Sequence, residues 1–241
     1  VIPPFRYYLF DIDGTLLDSA QDICGAIQHV LDGADCGPVS FEYLRSFIGR
    51  HLIDCFSEIF PNYTAEQIDQ LIQSYRQVYP ARGHRQTKPY PGVAAALGAL
   101  GGRKSTATTK GTPTTRAVLE QFGLLQYFDH VQGTDGIPCK PAPDVLLAAI
   151  EALGGTPGEC LMVGDSAADM EAARRAGMKV CAVRYGYGNP EELAKWAPDF
   201  WLNDLRELAA GQDSSRALRV ERGARIARGA DAREMDREAD R

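Results

Sequence analysis

The sequence predicts an α/β protein: a parallel sheet with helices on both faces, plus an all-helical segment inserted after the first strand. Three observations predict it. From about residue 104 onward, short apolar runs alternate with helical patterns, the signature of a parallel sheet covered by helices. One further apolar run, Tyr7-Tyr8-Leu9-Phe10, stands alone near the start and reads as a buried strand. Residues 18–88, which separate it from the rest, read as helical throughout.

Taken in order, the first strand covers residues 7–11, and Gly14 turns the chain. Ile23, Ile27, Val30 and Leu31 then recur at helical spacing. Thr64-Ala65-Glu66-Gln67 forms a capping box. The helix it opens carries Ile68, Leu71, Ile72 and Tyr75, and Pro80 is expected to stop it. Hinges are expected near residues 17–19 and 86–92. Further strands are predicted at 104–108, 129–133, 160–164, 179–183 and 199–202. Between them, one helix starts at Thr112-Pro113, with proline at the tolerated first position, and stops at Gly123. Another starts at Pro143 and stops near Gly154, and a third runs from 167 to Gly177. Trp196 and Trp201 are expected to pack the last helix and strand onto the core. The division that follows is a core of 1–17 and 89–213, a helical cap of 18–88 and a charged tail of 214–241.

Composition narrows the function classes. Apolar residues make up 44% and charged residues 24% of the 241, as in ordinary globular proteins. No apolar run approaches the ~20 residues that cross a bilayer. Val1-Ile2-Pro3-Pro4 shows no basic region leading into a long apolar stretch. The six cysteines (24, 36, 55, 139, 160 and 181) form no Cys-x-x-Cys pair, so reduced thiols and a cytoplasmic location are expected. A net charge of −6 argues against nucleic acid as a partner. The tail differs in kind, with 8 arginines and 6 acidic residues, and little apolar surface to dock. Such a composition is expected to be disordered.

The chemistry is carried by four short elements at predicted strand ends or helix starts. They are Asp11-Ile12-Asp13-Gly14-Thr15, Thr108-Thr109-Lys110, Lys140-Pro141-Ala142-Pro143, and Gly164-Asp165-Ser166 with Asp169 beyond it. Open α/β sheets bind ligands at the carboxyl ends of their strands. If the first and fourth ends are neighbours, Asp11, Asp13 and Asp165 form a hard-oxygen cage suited to Mg²⁺. A calcium-loop reading of Asp-x-Asp-Gly fails, because Leu16-Leu17 follows and the twelfth loop position holds no Glu. Each of the other elements alone has a plain reading as linker, strand end or helix cap.

Together, in this order and spacing, the four elements resemble the haloacid dehalogenase superfamily, in its phosphoglycolate-phosphatase-like branch with a helical cap. The resemblance spans about residues 5–210, and Tyr90-Pro91-Gly92-Val93 looks like the cap-to-core return. It implies a Rossmann-like core and a Mg²⁺-dependent phosphatase acting on a small phosphorylated metabolite, with phosphoglycolate the leading substrate. It also implies the roles. Asp11 is the nucleophile, forming an aspartyl-phosphate. Asp13 is the general acid and then the base, its protonation favoured by a close like charge. Thr108 and the Thr109 amide hold phosphoryl oxygens, and Lys140 neutralises charge. Asp11, the Asp13 carbonyl and Asp165 hold the metal, and Asp169 supports it or Lys140. Many members carry Asn at position 109, where only the amide is required.

Alternatives within the fold are a β-phosphoglucomutase-like phosphomutase, a 5′-nucleotidase and a pyrophosphatase. Asp13 argues against a dehalogenase, whose leaving halide needs no proton. The cap's one lysine candidate for a Schiff base, Lys88, lies at a hinge, which argues against phosphonate cleavage. A receiver-like or catalytically silent phospho-binding protein is the non-enzyme alternative, although a receiver's phosphoacceptor lies on its third strand. The loop Phe47-Ile48-Gly49-Arg50-His51-Leu52 is expected to face the core, with Arg50 and His51 contacting the leaving-group half of the substrate. Cys139 reads as a small filler beside Lys140. The oligomeric state is left as monomer or homodimer.

Overall fold

The computed structural model describes residues 1–210; the tail of 214–241, and the last residues of the expected core, lie outside the described residues. β1 (Tyr7–Phe10) is an interior strand of the sheet. It pairs in parallel with β4 (Arg103–Thr106) on one side and β5 (Cys160–Gly164) on the other, with Phe10 opposite both Thr106 and Val163. β6 (Lys179–Val183) and β7 (Phe200–Leu202) extend the sheet, giving the order β4-β1-β5-β6-β7, parallel throughout. The chain therefore leaves β1 toward one edge and later returns to its other side. A crevice opens at such a reversal, at the carboxyl ends of the strands.

Side-chain alternation divides the core into two layers. Tyr8 and Phe10, Leu161 and Val163, and Cys181 and Val183 point to one face. They pack on α5 (Val93–Ala99) and α6 (Thr112–Gln121). Tyr7 and Leu9, Cys160 and Met162, and Val180 and Ala182 point to the other. There they meet α7 (Asp144–Ala152) and α8 (Ala167–Ala176), joined by Leu193 of α9 (Pro190–Ala194). Strands buried on both faces are near-continuous hydrophobic runs for this reason. Trp196 and Trp201, partly buried, pack on the second layer.

Residues 23–79 build a third apolar cluster of their own. It joins α1 (Ala20–Gly33), α2 (Phe41–Arg45), α3 (Leu52–Ile59) and α4 (Ala65–Ala81) around Ile27, Leu31, Phe56 and Tyr79. The chain enters and leaves this segment through a small antiparallel ribbon, β2 (Leu17–Asp18) against β3 (Lys88–Pro89).

Three local expectations change. Residues 129–133 form a single bridge, Ser105 with His130, and no strand. Their backbone is drawn off by threonine hydroxyls instead: Gln132 exchanges bonds with Thr106 Oγ1, and the Gly133 amide donates to Thr112 Oγ1. β4 is correspondingly Arg103–Thr106, so Thr108 lies beyond the strand, in the loop. α4 runs through Pro80 to Ala81, because a proline in the last turn removes one ladder donor without stopping the turn that follows. The Thr64–Gln67 capping box is present in both directions.

Candidate active site

Asp11 follows β1, and its amide still donates to Val163 O at 3.0 Å. The chain then folds back sharply, with the amides of Thr15, Leu16 and Leu17 converging on the Ile12 carbonyl. Gly14 makes the turn possible at φ +94°. A Cβ there would strike the Asp165 carboxylate, so the glycine also lets the β5 loop close against the β1 turn.

Motifs spread from Asp11 to Asp169 meet in this crevice. The Lys140 ammonium, fully buried, donates to Asp11 Oδ1 at 2.7 Å and to Asp169 Oδ1 at 2.5 Å. Asp169 is fixed by the cap of α8: its Oδ2 accepts from the Ser166 amide at 3.0 Å and hydroxyl at 2.6 Å. Asp165 accepts from Thr15 Oγ1 at 3.0 Å and from the Tyr187 amide at 2.8 Å. Carboxylate oxygens of Asp11, Asp165 and Asp169 lie within 4.8 Å of one another, all buried.

Electrostatics follow from that crowding. Burial, reinforced by the Asp169 and Asp13 charges, outweighs Lys140 and pushes Asp11 up to about 7. Burial, then Asp11 and Asp169, push Asp165 up to about 8. Burial opposes the charge on Lys140, but Asp11 and Asp169 overcome it and raise its pKa. One ammonium among three buried carboxylates leaves an excess of negative charge. A divalent cation with hard oxygen ligands offsets such an excess, and these donors fit Mg²⁺.

Asp13 takes a different direction from Asp11. Its Oδ1 accepts from Ser19 Oγ at 2.6 Å, and its Oδ2 pairs with Lys110 Nζ at 3.1 Å. Burial works against the Lys110 ammonium, but Asp13, then Tyr79 and Tyr75, raise its pKa. The two aspartates expected to repel each other are thus each turned to a separate lysine.

Asp13 and Lys110 open onto a cavity of about 480 Å³ between the core and the helical segment. Thr109 lines it, as do Arg50 and His51. The loop carrying the latter pair does face the core: Gly49 packs against the Ser166 side chain. Arg50 lies over the Phe47 ring at 4.7 Å and reaches Glu58 at 3.5 Å. His51 has a local task as well, since its Nδ1 accepts from the Ile53 amide and caps α3. Thr108 is buried, and its hydroxyl accepts from the Lys110 amide at 3.3 Å.

Thr15 and Lys110 fall within two of the sequence motifs without a role assigned to them, and Ser19 and Tyr187 are given none either. Lys110 is legible as a cation in the loop after β4. Tyr187 sits in Tyr185-Gly186-Tyr187-Gly188, a glycine-rich loop at the carboxyl end of β6, which is also a signal. Ser19 and Thr15 carry none beyond their nearness to Asp13.

Comparison with known proteins agrees with this geometry. The family of haloacid dehalogenase-like hydrolases matches residues 8–183. A phosphoglycolate phosphatase of Caulobacter vibrioides is 35% identical over 186 residues, covering 74% of this chain and 78% of its own. A pyrophosphatase, PpaX, of Bacillus pumilus is 34% identical over 206 residues, covering 84% and 94%. Among solved structures, a predicted phosphatase from Clostridium acetobutylicum superposes with a TM-score of 0.79 at 32% identity, covering 86% of this chain and 97% of that one. With its four motifs gathered at one end of a parallel sheet, the chain belongs to the haloacid dehalogenase-like hydrolases, as a phosphatase of that family.

Proposed function

We propose that this phosphatase hydrolyses a small, anionic phosphate monoester through a phosphorylated Asp11, with Mg²⁺ as cofactor and residues 18–88 acting as a cap. The observation that carries the reading is the Asp11–Lys140–Asp169 chain beside Asp165, with Asp13 on the cavity side. Asp11 Oδ attacks phosphorus while Asp13 passes its proton to the leaving oxygen. Asp13, now a carboxylate, takes a proton from water. That water's oxygen attacks phosphorus, freeing Asp11 and releasing phosphate. Splitting one displacement into two is the use of the nucleophile. Thr108 Oγ, whose hydrogen is not used by the bond it accepts, and the Thr109 amide serve the phosphoryl oxygens. Lys140 holds Asp11 aimed and offsets charge there. Asp11, Asp165 and the Asp13 carbonyl would hold Mg²⁺, with Asp169 anchoring Lys140. When bound, the metal supplies positive charge to the nucleophile and the phosphoryl oxygens. Arg50, facing the cavity, serves the anionic leaving-group half, and closure around it excludes bulk water.

Phosphoglycolate is the leading substrate, supported by the Caulobacter relative. Pyrophosphate is the second reading, supported by the Bacillus relative of similar identity. The partner is a small phosphorylated metabolite, without nucleic acid or membrane; no helix among the described residues is long and apolar enough to cross a membrane. Phosphate release across phosphoglycolate, pyrophosphate, sugar phosphates and nucleoside monophosphates, with Mg²⁺ or EDTA, tests the proposal. One substrate should stand out, and its turnover should vanish with EDTA and with Asp11→Asn. Turnover that survives Asp11→Asn would sink the aspartyl-phosphate route.

A further inference from the structure

The mechanism above gives no role to Lys110, which lines the cavity beside Asp13. Lys110 has a side chain only 9% exposed, with Nζ 3.1 Å from Asp13 Oδ2. It also donates to the Tyr79 hydroxyl at 3.0 Å and lies 4.4 Å from the centre of that ring. Its backbone is held on both sides. The amide donates to Thr108 Oγ1, and the carbonyl accepts from the Thr134 amide at 3.0 Å. Tyr79 is buried in α4 and stacked on Tyr75, with ring centres 5.4 Å apart and planes within 9° of parallel. An ammonium anchored in the core loop is thus gripped by a tyrosine of the helical segment, and what it grips in turn is Asp13.

The other Asp13 oxygen is taken by Ser19, just beyond the β2 strand of the ribbon. Two partners from separate parts of the chain therefore set the rotation of this one carboxyl group. Proton transfer requires such placement, because a misplacement of about 1 Å can cost on the order of 100-fold. A site on rigid elements holds it better than one left to a free rotamer.

We propose that Lys110 is a positioning residue for the leaving-group step, holding the Asp13 carboxyl group where its proton reaches the departing oxygen, and that Tyr79 of α4 holds Lys110. This rests on the reading of Asp13 as the acid. The proton moves from Asp13 to the leaving oxygen as the phosphorus–oxygen bond breaks, and the carboxylate left behind faces the Lys110 ammonium at ion-pair distance. The helical segment thereby contributes to the reaction as well as to substrate choice.

The demand on Asp13 depends on the leaving group. An alkoxide needs its proton, whereas 4-nitrophenolate departs without one. The test compares kcat and KM for the best alkyl phosphate and for 4-nitrophenyl phosphate in wild type, Lys110→Met, Lys110→Arg and Tyr79→Phe, with thermal unfolding of each. Lys110→Met should lower kcat/KM, which reports the leaving-group step, on the alkyl ester by roughly 10- to 100-fold more than on the aryl ester, up to the lower end of what proton transfer by a side chain contributes. KM should move little. Tyr79→Phe should shift the ratio the same way by less, and Lys110→Arg should restore part of it. Equal losses of kcat/KM on both esters, or a change confined to KM, would overturn the positioning role in the leaving-group step while leaving the phosphatase reading intact. A wild-type protein that turns over neither ester, with Mg²⁺ present, would overturn both.

Discussion

Asp11 and Asp13 sit two positions apart on one strand end, yet their side chains serve different cations, Lys140 and Lys110. Asp11 lies just past the end of β1 and Asp13 inside the turn that follows, where the amides of Thr15, Leu16 and Leu17 converge on the Ile12 carbonyl, so the alternation that would put residues two apart on one face no longer applies. Asp13 lines the cavity while Asp11 stays in the crevice. Lys140 is buried between two carboxylates, where removing either partner would strand a charge. Arg50 is the contrasting case. Its ion pair with Glu58 is long and half exposed, and such pairs contribute little to stability. Arg50→Ala should therefore leave the unfolding midpoint almost unchanged. It should lower kcat/KM on the best substrate by about 10-fold or more, the scale of one lost charged hydrogen bond. An unchanged kcat/KM would remove Arg50 from the site.

At the scale of elements, helix caps are used twice for different ends. Thr64 caps α4 on an exposed surface, reciprocally with Gln67. Ser166 caps α8 in the same way, but its partner Asp169 also holds Lys140. Replacing either cap by Ala should cost about 1 kcal/mol in denaturant unfolding. Only Ser166→Ala should also lower kcat, because it loosens the anchor of the lysine that aims Asp11. Equal turnover in the two variants would show that Asp169 holds its place without the cap. The capping box of α4 was legible because it depends on residues three apart. The second role of Ser166 was not, because Lys140 reaches Asp169 across 29 positions.

For the molecule as a whole, the acidic cluster couples folding to pH and to metal. Without a cation, burial and mutual repulsion push Asp11 up to about 7 and Asp165 up to about 8 in the folded chain, from an ordinary 3.8. The sign follows from proton counting. Between about pH 4 and 8 the folded state binds more protons than the unfolded one at these two groups, so their contribution to stability falls as pH rises. In EDTA the pair should thus destabilise the protein progressively from pH 5.5 to 8.5. Mg²⁺ binds the ionised cluster, so its stabilising shift in Tm should grow over the same range. Thermal unfolding at several pH values with EDTA and with Mg²⁺ measures this. A shift independent of pH, or absent, would place the cation elsewhere. Asp11→Asn should reduce the pH dependence.

What the chain determines locally is extensive. Continuous apolar runs around 7–11, 160–164 and 179–183 mark strands buried on both faces. Helical spacing and caps mark the segment between. Four short motifs in order mark the chemistry, because each is a strand end or helix start whose role depends on near neighbours. Tertiary structure decided the rest. It made residues 129–133 a bonded edge without a ladder, since threonine hydroxyls on β4 and α6 compete for that backbone. It let α4 pass through Pro80. It brought Lys110 to Asp13 from a distant loop, and Tyr79 of α4 to Lys110 across 31 positions. A buried ammonium needs partners supplied by whatever packs around it, and no local pattern records which distant side chains those are.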